Sequence, residues 1–164
     1  MLVSFFAIDK VGDVMCVSAD DVAAYILKKC GAMTTMKLQK LVYYCQAWSL
    51  VWDEKPLFKD KIEAWAGGPV IKTLYNKHKG QFSVNKWPSG NIAKLNQEQK
   101  ETIQGVIAYY GDKKAQWLSD LAHMEDPWKD ARKKAGLKNG DRGCGIISTA
   151  SMHEYYSGIN DGEQ

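Results

Sequence analysis

Glu63 stands two positions before Trp65 in the run Ile62-Glu63-Ala64-Trp65-Ala66-Gly67-Gly68-Pro69-Val70, so a carboxylate and an indole meet just ahead of two glycines that permit tight approach or positive φ. A carboxylate against an aromatic ring is one way to build a general acid of raised pKa, but acid catalysis needs a second titratable group at a defined distance, and the spacing marks none. The expectation is a structural Glu63 that satisfies helix-end amides or pairs with Lys37 or Lys40. His123, Glu125 and Asp126 gather just before Pro127 and Trp128 and could be drawn as part of a metal site. Two ligands on one helical face lie three or four residues apart, and His123 with Asp126 meets that only if a single helix runs through both. Asp126-Pro127 reads instead as a fresh helix start, which favours capping and a hydrogen-bonded histidine over a metal.

Nucleophile chemistry is not expected either. Cys45, Cys144, His78, His123 and His153 lie in no local pattern resembling a nucleophile elbow or a cysteine-protease signature. Gly140, Gly143 and Gly145 lack the incoming strand and the following Lys-Ser/Thr pair of a phosphate loop. Lys129, Arg132, Lys133, Lys134, Lys138 and Arg142 form a basic stretch that could touch nucleic acid or an acidic partner, but with Asp130 and Asp141 interspersed a solvated helix face is the favoured reading. Four cysteines, Cys16, Cys30, Cys45 and Cys144, contain no CxxC pair and are expected to be reduced core thiols.

The elements that must position these groups are mostly helical. Ser18 with Asp21 has the form of an N-cap, and Val22, Ala23, Ile26, Leu27 and Cys30 repeat at helical spacing up to Gly31. Thr34 or Thr35 caps a second helix, whose Leu38, Leu41, Val42, Cys45, Trp48 and Trp52 lie on one stripe before Pro56, flanked by Lys37, Gln39, Lys40, Tyr44 and Gln46. This is taken as the central element. Its aromatic side chains suit either an interface or an inner layer with buried polar partners, and the core is favoured.

From Pro56 to Trp65 the helical period is lost and an extended run is expected. Pro69 then suits a first helical position, with Val70, Ile71, Leu74, Tyr75 and His78 continuing to Gly80. Gln81 to Trp87 alternates weakly and could pair with the earlier extended run. Asn96 with Gln99 caps a helix ending at Gly111; Asp112 and then Asp126 open two more; Leu137 to Gly145 is a loop; and Ser148 starts a last helix carrying Met152, Tyr155, Tyr156 and Ile159.

These elements amount to a mainly α chain, a single-domain bundle of about six or seven helices with a small two-stranded extended element. A length of 164 residues, 45% hydrophobic and 25% charged, fits one substantial core and leaves no room for a large disordered region. The net charge of +3 is too small to point to nucleic acid or an anionic membrane. Met1 to Ile8 is apolar but lacks a basic start and is too short to cross a bilayer, so it is expected to form a short strand or a strap over the core. No membrane partner is expected, and the cytoplasm is the expected compartment.

Taken in order, Lys37-Leu38-Gln39-Lys40-Leu41, Tyr43-Tyr44-Cys45-Gln46-Ala47-Trp48, Pro56-Leu57-Phe58, Ile62-Glu63-Ala64-Trp65, Gly68-Pro69-Val70 and His123 ahead of Pro127-Trp128 resemble the Panacea, or SocA-like antitoxin, domain, which is also found in phage-associated proteins. The likeness spans about Ser18 to Ile159, leaving residues 1–17 as an N-terminal extension and 160–164 as a tail. It implies a mainly α fold and a non-enzymatic antitoxin, without cofactor or metal, that neutralises a cognate toxin protein by direct contact. One studied type of the family is instead an adaptor that delivers its toxin to the ClpXP protease, and a ClpXP-type partner is one alternative; a nucleic-acid-binding regulator using Lys129 to Arg142 is the other. Some relatives add a DNA-binding domain; here the family domain takes nearly the whole chain, so nucleic acid is not the expected partner. The motif positions are Lys37, Gln39, Lys40, Tyr44, Gln46, Trp48, Glu63, Trp65, Gly68, Pro69, His123 and Trp128. They are candidates for partner contact or for the shared core, with the core favoured for the apolar members.

Overall fold

The computed structural model describes residues 16–162. The expectation of a strand or strap at Met1 to Ile8 lies outside the described residues. Among the described residues seven α-helices dominate: α1 (Ala19–Cys30), α2 (Thr35–Trp52), α3 (Lys72–His78), α4 (Gln97–Tyr110), α5 (Ala115–Met124), α6 (Asp126–Lys134) and α7 (Thr149–Gly162). Five short strands accompany them: β1 (Met33–Thr34), β2 (Ile62–Trp65), β3 (Gly68–Ile71), β4 (Ser83–Val84) and β5 (Ile146–Ile147). The fold is mainly α, as expected. Among the described residues no helix is long and apolar enough to cross a membrane.

Helix α1 begins where the sequence signals it. The Ser18 N–H donates to Asp21 Oδ2 at 2.9 Å, Asp20 and Asp21 sit in the positive first turn and Lys28 and Lys29 in the negative last one, and Gly31 ends the helix at φ 81°. In α2 the Thr34 hydroxyl accepts from the Lys37 N–H at 3.1 Å. The expected one-sided stripe is too narrow a description, because every residue from Leu38 to Leu50 is buried. With α1, α4, α5, α7, β1 and β3 packed around it, α2 is an axle that meets solvent only in its first and last turns, where Met36 is 43% and Trp52 46% exposed.

The extended structure exceeds the single two-stranded element expected. Strands β2 and β3 form an antiparallel hairpin in the register Ile62↔Ile71, Glu63↔Val70, Ala64↔Pro69 and Trp65↔Gly68, and β5 adds to the other edge of β2. Pro69 therefore does not open a helix. It lies on β3, an edge strand of the sheet, where a missing N–H is tolerated, and α3 begins only at Lys72. The run Gln81 to Trp87 contributes β4, which pairs with β1 (Met33↔Val84, Thr34↔Ser83) and not with the earlier extended run, since both edges of β2 are already taken. Two further starts shift: Lys114 and not Asp112 is the N-cap of α5, and Glu125 precedes α6, with Asp126 and Pro127 in its first turn.

Candidate functional site

A buried helix that carries Gln39, Lys40 and Gln46 has to find partners for them, and each one finds backbone. Gln46 Oε1 accepts from the Leu57 N–H at 2.7 Å and the Phe58 N–H at 3.3 Å, while its Nε2 donates to the Phe58 carbonyl at 2.8 Å. That grip turns the chain after Pro56 back onto α2. Gln39 treats β3 the same way: Oε1 accepts from the Ile71 N–H at 2.8 Å and Nε2 donates to the Ile71 carbonyl at 3.1 Å, with His78 Nε2 3.0 Å away. Lys40 donates from Nζ to the Pro69 carbonyl at 3.0 Å. Among the described residues it has no carboxylate partner, and burial pulls its pKa down from 10.5 to about 8.

The β2–β3 turn is held by helices α5 and α6 as well. Ser119 Oγ donates to the Gly67 carbonyl at 2.9 Å, and the two ring nitrogens of His123 face the carbonyls of Ala66 at 2.8 Å and Ser119 at 2.6 Å. The Trp128 indole donates to the Trp65 carbonyl at 2.8 Å, and Arg132 Nη1 to that of Ala64 at 3.2 Å. Gly68, at φ 119°, leaves room for Lys40, whose Cε lies 2.8 Å from where a Cβ would stand. At the carbonyls of Ala64, Trp65, Ala66, Gly67, Pro69 and Ile71, side chains of three helices hold this hairpin. Of the twelve motif residues, Gln39, Lys40, Gly68, Pro69, His123 and Trp128 converge here.

Glu63 and Trp65 face outward from β2. Glu63 Oε1 accepts from the Trp65 indole at 2.8 Å, and neither Lys37 nor Lys40 reaches it, which corrects the expected pairing. Lys37 instead donates to the Gly111 carbonyl at 2.6 Å. The Cys144 thiol hydrogen-bonds Glu63, which raises its pKa. Glu63, Trp65, Lys72, Arg142 and Cys144 rim a shallow depression of about 380 Å³. The four cysteines are free thiols, but only Cys45 is buried; Cys16, Cys30 and Cys144 are exposed, so the expectation of core thiols fails for three of them.

Tyr44 and Trp48 belong to a second constellation that sequence reasoning did not assemble. Tyr44 donates to Glu125 Oε1 at 2.7 Å and Tyr156 to the same oxygen at 2.8 Å; the Tyr43 hydroxyl lies 3.0 Å from that of Tyr156. Tyr44 stacks on Tyr110 with centroids 4.2 Å apart, and the Trp48 indole donates to the Tyr110 hydroxyl at 2.9 Å. Burial raises the Glu125 pKa, opposed by the two phenol donors. In the sequence Glu125 stands out only as a neighbour of His123. The turn between α5 and α6 sends the two to different partners, and among the described residues no cluster of His, Cys, Asp and Glu is placed to hold a metal. Arg132, read as part of a basic face, is 3% exposed and gathers the carbonyls of Ala64, Lys138, Asp141 and Gly143. A cation buried so deeply is not available to nucleic acid.

The model of the family described as antitoxin SocA-like, Panacea domain, matches residues 38–129, from the start of the buried part of α2 into α6. No match was found among curated proteins or among solved structures. The matched span takes up more than half of the chain and contains every side chain that holds the hairpin's carbonyls except Arg132, and on that ground the chain belongs to the SocA-like antitoxin family, as a Panacea domain.

Proposed function

We propose that the chain neutralises a toxin protein by binding it directly, and that none of its motif residues carries out a reaction. The observation that carries this reading is where the motif's polar groups go: Lys37, Gln39, Lys40, Gln46, His123 and Trp128 all contact main-chain carbonyls or amides of the same chain. Reaction chemistry needs titratable groups converging on a space a substrate can enter, whereas these groups converge on backbone. What remains for a partner is surface. Trp52, Tyr109, Trp117 and Met124 are between 42% and 64% exposed, more large apolar surface than solubility alone calls for, and the hairpin corner from Glu63 to Val70 stands beside the depression around Cys144. The end of α2 and this corner are the contact surface in this reading.

The test is co-expression with the toxin encoded next to it. Growth rescue together with a co-purifying complex is expected. Rescue without any detectable contact would overturn direct neutralisation, and loss of the toxin only in cells that hold the protease would replace it with an adaptor role.

A further inference from the structure

The end of α2 closes a cleft of about 310 Å³ against α4, α5 and α7, walled by Trp48, Trp52, Tyr109, Leu121 and Ile159. Glu125 is the one carboxylate in its lining and is 5% exposed. Both phenol donors, Tyr44 and Tyr156, go to its Oε1. Among the described residues Oε2 has no hydrogen bond, and it keeps some exposure. Among the described residues no cation pairs with Glu125.

We propose that this cleft receives an arginine side chain from a basic segment of the partner protein, its guanidinium lying between the aromatic walls and hydrogen-bonding Glu125 Oε2. The inference rests on the reading of the chain as a partner-binding domain and deepens it by naming the anchor.

Three features select that occupant. A carboxylate withdrawn from water without a cation is costly, and a docking cation supplies the missing counter-charge. Indole and phenol faces attract cations, and Trp48 and Trp52 already lie stacked with centroids 5.1 Å apart; a planar, weakly hydrated guanidinium suits such walls better than a compact ammonium. The cleft is also flanked by acid on two sides. Beyond Trp52 lie Asp53, Glu98 and Glu101, and beyond Ile159 lie Asp126, Asp130 and Glu154. Lys55 and Lys129 pair with Glu98 and Asp126 at 3.1 and 3.5 Å in exposed bridges, while Asp53, Glu101, Asp130 and Glu154 have no ion pair among the described residues. A basic segment crossing the cleft would therefore meet complementary charge before and after its anchor.

The experiment titrates the full chain at low salt with the blocked peptide acetyl-Gly-Arg-Gly-amide and follows the indole N–H resonances of Trp48 and Trp52. Saturable shifts are expected at millimolar peptide, with the citrulline analogue, which has the same shape without the charge, binding at least about tenfold more weakly. Glu125→Gln keeps an acceptor for Tyr44 and Tyr156 but removes the charge, and should weaken the arginine peptide by a similar factor. Trp52→Ala changes a wall at the surface; it should also weaken binding, and it decides the matter if Glu125→Gln fails to fold. Absence of saturation, equal binding of citrulline, or unchanged binding by both variants overturns the proposal. A lysine peptide that binds as tightly as the arginine one overturns the choice of arginine. Neutralisation of the toxin by a chain that ignores the peptide would remove this anchor and leave the proposed function standing; peptide binding by a chain that contacts no toxin would do the reverse.

Discussion

At the scale of the residue, a buried polar side chain in this protein is a device for holding backbone. Gln39 is the clearest case, since its amide reproduces for Ile71 the donor and acceptor that a further strand would offer. Gln39→Leu preserves the bulk and strands both Ile71 groups, so urea denaturation should show a loss of about 2–4 kcal/mol, with the hairpin exchanging its amides faster. Lys40 carries a different signature. Its folded pKa is lowered to about 8 from 10.5, so between those values the unfolded chain binds more protons and the contribution of Lys40 to stability rises with pH. Measured against Lys40→Met, the wild type should gain about 1 kcal/mol between about pH 8 and about pH 9; a flat difference would mean that folded Lys40 keeps the pKa of a solvated lysine. The sequence displays these residues plainly, as polar side chains on the most apolar helix. It does not show their partners, because main-chain carbonyls 29 or 32 positions away leave no mark in residue type.

At the scale of the element, helices were legible wherever a cap agreed with the 3.6-residue period, as at Ser18 with Asp21 and at Asn96 with Gln99. Strands of two to four residues were not, because pairing partners from distant parts of the chain decide them. Pro69 suited either a helix start or an edge strand, and the holding of Ala64 to Ile71 by side chains settled it for the strand. The same physics marks Arg132 as the tie between α6, β2 and the loop before β5. A lysine cannot serve four carbonyls spread around a planar fork, so Arg132→Lys should accelerate amide exchange at Ala64, whose N–H donates to the Gly145 carbonyl, and along β5 by about tenfold or more, while α1 is unaffected. Equal protection in the variant would remove Arg132 from that role. The Glu125 constellation was the least legible part of the site. Tyr44, Glu125 and Tyr156 come from α2, the turn after α5 and α7, and only the packing of α2 against α7 brings them together.

At the scale of the whole molecule, the net charge of +3 hides an uneven surface in which acid collects around the aromatic cleft. Association with a basic partner should therefore weaken as salt rises, mainly through the on-rate, and a salt-independent association constant would argue against contact on that face. Direct neutralisation without chemistry also fixes the stoichiometry, since one chain can occupy only as many toxin molecules as it has docking faces. The most direct test is to titrate a fixed amount of active toxin with purified chain and record the activity that remains. Binding predicts a linear fall to an end point at a fixed molar ratio, with a complex of that composition on a sizing column. Inactivation of many toxin molecules by each chain, continuing with time after mixing, would contradict it.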